Sequence, residues 1–160
     1  MGLLDYFEEC LEVICECFRD IEQQVPAPSK VPFLDSFVFR YKEQKIEQCI
    51  VAKLVRVLTG VRAAIVLNRV GLFQEQAVQH RVLDELGEDI MFLGYGIHSG
   101  EITELHQEYL KAFFMEDFEN AADPVGSRIN RPMLSRKKIR AYISRIEETE
   151  LDPSTGVHVS

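Results

Sequence analysis

Charged side chains lie in two neighbouring rows along a predicted helix in the middle of the chain. The first row is His80, Asp84 and Glu88, and the second is Arg81, Glu85 and Asp89. Residues four apart on a helix lie about one turn above one another, so each row forms a polar stripe. Such stripes could bring an acid, a base and an anion-binding cation together, but the spacing of Arg81 and Glu85 is also that of an ordinary surface ion pair.

Arg62 lies on the preceding predicted helix, which ends at Gly71 and should pack antiparallel to the helix of the two rows. A buried guanidinium facing Arg81 and Glu85 would shift pKa values or bind an anion. A buried network of this kind can also be purely structural. The candidate polar cluster consists of Arg62, His80, Arg81, Asp84, Glu85 and Glu88.

A basic segment near the end of the sequence contrasts with the net charge of −8, because residues 128–145 include seven basic residues and no acidic one. The candidate contacts to an anion or a nucleic acid are Arg136, Lys137, Lys138 and Arg140. Apolar residues at positions 139, 142, 143 and 146 predict a helix with one face packed on the body and its cations outward. Since the rest of the chain is acidic, we favour docking of this helix on the first or fourth helix over nucleic-acid binding.

The pattern of potential ligands predicts no metal and no cofactor. None of the four histidines has a glutamate three residues before it, as in di-iron helical bundles, and Cys15-Glu16-Cys17 is not a Cys-x-x-Cys zinc pair. The cysteine spacing does not form a disulfide framework, which predicts reduced thiols in a cytoplasmic protein. No apolar run approaches the ~20 residues that span a bilayer, so membrane association is not expected.

Apolar periodicity predicts an all-α fold, an up-down bundle of four long helices plus a shorter basic C-terminal helix. Helices are expected over residues 2–24, 42–70, 72–93, 101–120 and 135–147. The first helix is expected to bury Ile14 and Ile21, and the third to bury Val78. The second is apolar nearly all round near Val66, which predicts burial on several sides.

The connections between these helices are predicted from proline and glycine. Residues 25–32 include three prolines and are expected to form a connector. Residues 33–41 could be a short strand but show no partner, so they are interpreted as an extended approach to the second helix or as its first turn. Gly94, Gly96 and Gly100 predict an interhelical loop. Residues 1–150 are expected to form a single helical-bundle domain, and 151–160 a flexible tail or a truncated continuation.

The stretch from Gly71 to Leu93 resembles the core of uncharacterised bacterial all-helical proteins of the DUF5677 type. In that pattern one helix ends at a glycine, here Gly71, and the next carries an Arg-x-x-x-Glu signature, here Arg81 and Glu85, before an apolar end. The resemblance covers mainly residues 54–93. It implies a helical fold and two candidate site residues, but no activity.

Two functions of different classes fit these features. The first is an interaction or regulatory module that forms a homodimer or binds another protein, with a polar cluster that is structural or holds a small polar ligand. The second is an enzyme that processes nucleic acid or a nucleotide, with Arg62, His80, Arg81 and Glu85 around one pocket. The second would resemble the HEPN ribonucleases in fold, but no histidine follows an arginine at the spacing of their active site. We therefore prefer the first hypothesis.

Overall fold

The computed structural model describes residues 3–33, 35–115 and 134–151. These ranges contain five helices and one antiparallel two-stranded ribbon, so the chain is predominantly helical, as the periodicity predicts. The helices are α1 (Leu3–Gln23), α2 (Ile46–Arg69), α3 (Phe73–His98), α4 (Glu104–Met115) and α5 (Arg136–Leu151), and the strands are β1 (Ser29–Phe33) and β2 (Ser36–Arg40). Among the described helices, none combines the length and the apolar composition needed to cross a bilayer.

The chain consists of two compact units, residues 1–87 and 88–160, and the boundary between them falls within α3. The first unit holds α1, the ribbon, α2 and the beginning of α3. The second holds the rest of α3 together with α4 and α5.

In the first unit, α1 and α2 bury a small apolar core. Its residues are Leu11, Cys15, Leu58 and Ile65, with Phe18 and Val61 packed against them. The prediction that Ile14 and Ile21 are buried is wrong, since their exposed fractions are 44% and 42%. The buried stripe of α1 passes through Cys15 instead, and a reduced thiol packs there as a small apolar group. All four cysteines lie in the described ranges, and none forms a disulfide.

Gly71 ends α2 as predicted, in the left-handed conformation with a φ of 77°. The N–H of Gly71 donates to the carbonyl of Asn68 and the N–H of Leu72 to that of Leu67, which is the hydrogen-bond pattern of a Schellman motif. Asn68 then contacts Gln76, and Gly60 faces Leu83 further from the turn. These contacts pair residues at increasing distance from the turn, so α2 and the beginning of α3 form the predicted antiparallel hairpin.

Two expectations for this hairpin are wrong. Val66 and Val78 were expected to be buried, and their exposed fractions are 56% and 61%. The second helix also begins at Ile46 rather than near residue 42. The chain turns at Gln44, whose φ is 52°, and the side chain of Gln48 then accepts from the N–H of Lys45, which precedes the first helical residue.

Residues 29–33 and 36–40 pair as antiparallel strands where the sequence predicts a connector and an unpartnered extended segment. Val31 pairs with Val38 and Pro32 with Phe37, so the partner of the strand-like segment is the proline-containing stretch just before it. Proline is tolerated because both strands of an isolated pair are edge strands, on which an N–H can face away from the ladder.

The prediction of a loop at Gly94 and Gly96 is also wrong, because α3 continues through both residues to His98 and the chain turns at Gly100. Gly96 is needed for close packing instead. A Cβ built on it would lie 2.7 Å from Nε2 of His106, so only glycine leaves room for this ring.

In the second unit, α3, α4 and α5 surround a core that contains Phe92, Leu93 and Ile139, each no more than 1% exposed. Tyr142 and Ile143 are also buried, which confirms the apolar face predicted for the basic helix. That helix extends to Leu151 rather than ending near 147. Residues 116–120 of the predicted fourth helix, the loop after it up to residue 133, and the tail 152–160 lie outside the described residues.

Candidate functional site

Arg81 and Glu85 form the intrahelical ion pair that their spacing predicts. Nε of Arg81 lies 3.3 Å from Oε1 of Glu85, and the Arg81 side chain is 83% exposed. Water competes for both groups at such a site, and pairs of this kind contribute about 0–1 kcal/mol to stability. The pair is a surface contact rather than a buried cluster.

Arg62 turns towards α1. Its Nη2 donates to Sγ of Cys15 at 3.4 Å, across an open groove of about 610 Å³ between α1 and α2. The groove is also lined by Glu12, Glu16 and Arg19, so both carboxylates and cations line it. The arrangement brings Arg62 to a thiol and not to the ion pair of Arg81 and Glu85.

His80 and Asp84 occupy the exposed side of α3. Nε2 of His80 lies 3.3 Å from the amide Nε2 of Gln76, and Oε1 of that glutamine accepts from Asn68. Since an amide nitrogen can only donate, Nε2 of His80 is the acceptor in this contact. His80 therefore extends the polar contact between α2 and α3.

Glu88 belongs to a separate cluster in the second unit, where it faces α5 together with Asp89. Nη1 and Nη2 of Arg136 lie 2.5 and 3.3 Å from the two carboxylate oxygens of Asp89, a two-pronged pair. Arg140 donates to Oε1 of Glu88 at 2.9 Å. Oε2 of Glu88 is buried with no hydrogen bond, and Nη1 of Arg136 lies 3.9 Å from it.

This cluster changes the interpretation of the basic helix. Arg136 and Arg140, two of the candidate nucleic-acid contacts, are neutralised by carboxylates, whereas Lys137 and Lys138 are exposed. The helix docks on an acidic surface, as favoured, but the carboxylates lie on α3 and not on the first or fourth helix. Asp89 is the residue that the sequence analysis undervalued. The signal was its position beside apolar residues 90–93, where a charge needs a partner.

His106 is a buried group that the sequence analysis did not single out. Its ring stacks on Phe92 with centroids 4.1 Å apart, and Tyr142 meets its face edge-on at 5.0 Å. Nε2 lies 3.0 Å from the carbonyl of Phe92, and Nδ1 lies 3.2 Å from the N–H of Thr103. A carbonyl only accepts and a backbone N–H only donates, so Nε2 carries the proton, Nδ1 accepts and the ring is neutral.

The neutral state of His106 has a structural role. Burial lowers its pKa from the ordinary value of 6.5, although the hydrogen bond to the Phe92 carbonyl acts in the opposite direction. Thr103 immediately precedes α4 and His106 is its third residue, so the ring occupies the position of glutamate or glutamine in a capping box. A threonine three residues before a histidine was the available sequence signal.

The second unit also has an open groove of about 620 Å³ beside this core. It is lined by Glu101, Thr103, Glu104, Leu105, Lys138, Ala141, Tyr142 and Arg145. Acidic and basic groups are mixed along it, and none of the described groups of histidine, cysteine and carboxylate side chains is placed to hold a metal ion. Within the first unit, Arg62 contacts Cys15, His80 contacts Gln76, and Arg81 pairs with Glu85, so these residues of the predicted polar cluster do not meet at one point. Glu88 lies in the second unit.

No protein-family model, no curated protein and no solved structure matches this chain.

Proposed function

We propose that this protein is a cytoplasmic helical interaction module that self-associates through apolar side chains exposed on its first unit. In this proposal the helices form an up-down bundle. The protein is related to the DUF5677-type proteins that residues 71–93 resemble. The Arg–carboxylate contacts in this account are structural. They hold helices together and leave the apolar surface to make contacts with other chains.

The observation that carries this proposal is an apolar surface around the turn between α2 and α3. We name it the turn surface; its residues are Val66, Val70, Leu72, Phe73 and Val78. Their exposed fractions range from 47% for Leu72 to 64% for Phe73. Single exposed apolar residues are normal on a soluble protein, whereas a group of them at one place is typical of a contact surface.

A second exposed apolar group lies on the ribbon. Phe37 and Phe39 are 45% and 64% exposed, and their rings meet edge-on with centroids 5.6 Å apart. Nζ of Lys30 lies 3.5 Å from the centroid of the Phe37 ring. Aromatic side chains are enriched in protein interfaces relative to other surfaces.

The charged residues support the same function. The pair of Arg81 and Glu85 is solvated, and Arg136 and Arg140 are occupied by Asp89 and Glu88. These groups account for their own charges without a ligand. An interaction surface built on apolar contacts does not need these charged groups to bind a ligand.

Sedimentation velocity tests the proposal on the full chain and on a variant that loses both surfaces, Phe37→Thr, Phe39→Thr, Val70→Glu and Phe73→Glu. We expect the wild type to sediment as a concentration-dependent dimer and the variant as a monomer with the same helical content. A control with Gln74→Glu and Gln79→Glu adds the same charge elsewhere on α3 and should remain dimeric. A wild type that is monomeric at every concentration would refute the proposal.

A further inference from the structure

The two outer edges of the ribbon differ in whether a further strand can pair with them. The position of Pro32 shows that the edge of β1 is blocked and that the edge of β2 is open. The paired residues are Ser29 with Arg40, Lys30 with Phe39, Val31 with Val38, Pro32 with Phe37 and Phe33 with Ser36. In an antiparallel ladder, residues that exchange N–H···O bonds alternate with residues whose N–H and C=O point outward. Pro32 has no N–H and cannot exchange bonds with Phe37, so both of these residues point their backbone groups outward.

The alternation then assigns the remaining positions. Val31 and Val38 exchange the central bonds of the ribbon, while Lys30 and Phe39 point outward like Pro32 and Phe37. The outer edge of β1 therefore lacks a donor at Pro32 and carries a lysine, two devices that discourage strand addition. The outer edge of β2 offers the N–H and C=O of Phe37 and of Phe39. The sheet formed by the described residues has no third strand to take them up.

We infer that β2 pairs antiparallel with β2 of a second copy of this chain, around a two-fold axis at Val38. The inference rests on the proposed self-association and assigns it to one surface. The resulting sheet has the strand order β1, β2, β2, β1, with the blocked β1 edges on the outside. Strand addition at an exposed edge is a common mode of protein recognition, and in a two-fold dimer the same edge serves both copies.

The register follows from the two-fold axis. Phe37 lies opposite Phe39 of the second copy and exchanges N–H···O bonds with it, and Phe39 does the same with Phe37 of the second copy. About four backbone hydrogen bonds then form across the axis. Phe37 and Phe39 lie two residues apart and share one face, so the aromatic rings of both copies form a single cluster there. Ser36 lies opposite Arg40 of the second copy, and no like charges oppose each other.

Charge complementarity favours the antiparallel arrangement. Asp35 is exposed at the turn end of the ribbon, and Lys42 is exposed just beyond the other end of β2. Antiparallel pairing places Asp35 of each copy beside residues 41 and 42 of the other. Parallel pairing would place Asp35 near Asp35 and Lys42 near Lys42, and like charges directly opposite one another are destabilising.

Phe39→Pro tests the edge directly, because it removes an outward N–H and no bond between β1 and β2. Phe39→Thr is its matched control, since it removes the ring but keeps the N–H and a β-branched side chain. In sedimentation velocity of the full chain we expect Phe39→Pro to weaken the dimer about tenfold to a hundredfold more than Phe39→Thr. A second control, Val70→Glu with Phe73→Glu, removes apolar contacts of the turn surface but no backbone donor, and should weaken the dimer less than Phe39→Pro does. Equal effects of Pro and Thr, or dimer loss in the turn-surface control alone, would overturn the inference.

Amide hydrogen exchange of the wild type supplies a readout that does not depend on a variant. The N–H groups of Phe37 and Phe39 should be protected only at concentrations where the dimer forms, whereas that of Val38 should be protected at all concentrations. Protection of Phe37 and Phe39 that does not change between monomer and dimer would rule out the β2 edge as the interface. A wild type that never dimerises would instead remove the proposed self-association itself, so the two failures are distinguishable.

Discussion

Arg136 reaches from α5 to Asp89 on α3 with both terminal nitrogens of its guanidinium, at 2.5 and 3.3 Å from the two carboxylate oxygens. The Asp89 side chain is 3% exposed, whereas that of Arg136 is 38% exposed. A carboxylate so deeply buried must be compensated by a partner, and the planar fork of an arginine matches both of its oxygens. This pair attaches the basic helix α5 to α3 within the second unit.

Arg136→Ala should destabilise the protein by about 2–3 kcal/mol, since it leaves the carboxylate of Asp89 buried without its charged donor. Urea unfolding measures the difference. Lys137→Ala, on the exposed side of the same helix, serves as the control and should cost less than about 0.5 kcal/mol. The double variant Asp89→Leu with Arg136→Leu should recover most of the loss, because the buried carboxylate is removed together with the arginine. Equal costs for the alanine variants at 136 and 137 would contradict a structural role for this pair.

Arg81→Ala should change the free energy of unfolding by less than about 0.5 kcal/mol, because the pair with Glu85 is solvated and lies within one helix. The measurement is a urea titration at low and at high salt. A loss of more than about 2 kcal/mol would show that Arg81 belongs to a buried network, as one reading of the sequence allowed.

His106 should make stability depend on pH below neutrality. Burial lowers its pKa in the folded state below 6.5, so the unfolded chain binds a proton more readily than the folded chain. The stabilising contribution of the neutral ring is fully present above the unfolded pKa and is lost as the pH falls from about 6.5 to the folded pKa. Denaturation curves at pH 7.5 and 5.5 should show this loss.

His106→Gln supplies the comparison for this pH dependence. Glutamine keeps an acceptor for the N–H of Thr103 at a position where capping boxes use it, but it cannot be protonated. The variant should lose part of the change in stability between pH 7.5 and 5.5, whereas His98→Gln, at an exposed histidine, should retain it. If the free energy of unfolding depended on pH identically in the wild type and in His106→Gln, the assignment of this pH dependence to His106 would be contradicted.

Gly96→Ala should destabilise the protein by about 1–3 kcal/mol, because the new methyl group would lie 2.7 Å from a ring nitrogen of His106. Gly94→Ala is a matched control in the same helix, since no atom lies within 4 Å of a Cβ at that position. It should be neutral or stabilise the helix by up to about 1 kcal/mol. The midpoint temperatures of thermal unfolding of the two variants should therefore shift in opposite directions or by clearly different amounts. Equal shifts would contradict the close packing of α3 on His106.

The helices were predictable from sequence where local signals agree with the packing. Gly71 marks the end of α2 because a left-handed residue after a helix is almost always glycine, and α1 was placed within one residue at each end. Gly96 misleads because glycine also serves close packing inside a helix, and only the position of His106 distinguishes the two uses. No such contact explains the glycine at position 94.

The ribbon was not predicted because its signals conflict. Pro32 argues against a strand, and its compatibility depends on which way the backbone groups of that residue point, which only the pairing reveals. The contacts of the candidate cluster were only partly predictable. Periodicity correctly pairs Arg81 with Glu85, but the partner of Asp89 comes from α5, and a helical stripe does not say where other helices lie.

The central claim is that this chain associates with itself, and the weight-average mass from sedimentation equilibrium over a concentration series tests it most directly. The account predicts a mass that rises from that of the 18.4 kDa chain towards twice that value. It predicts a mass close to the monomer value for Phe39→Pro at the concentrations where the wild type is half dimeric. A wild-type mass that stays at 18.4 kDa at every concentration would contradict the account.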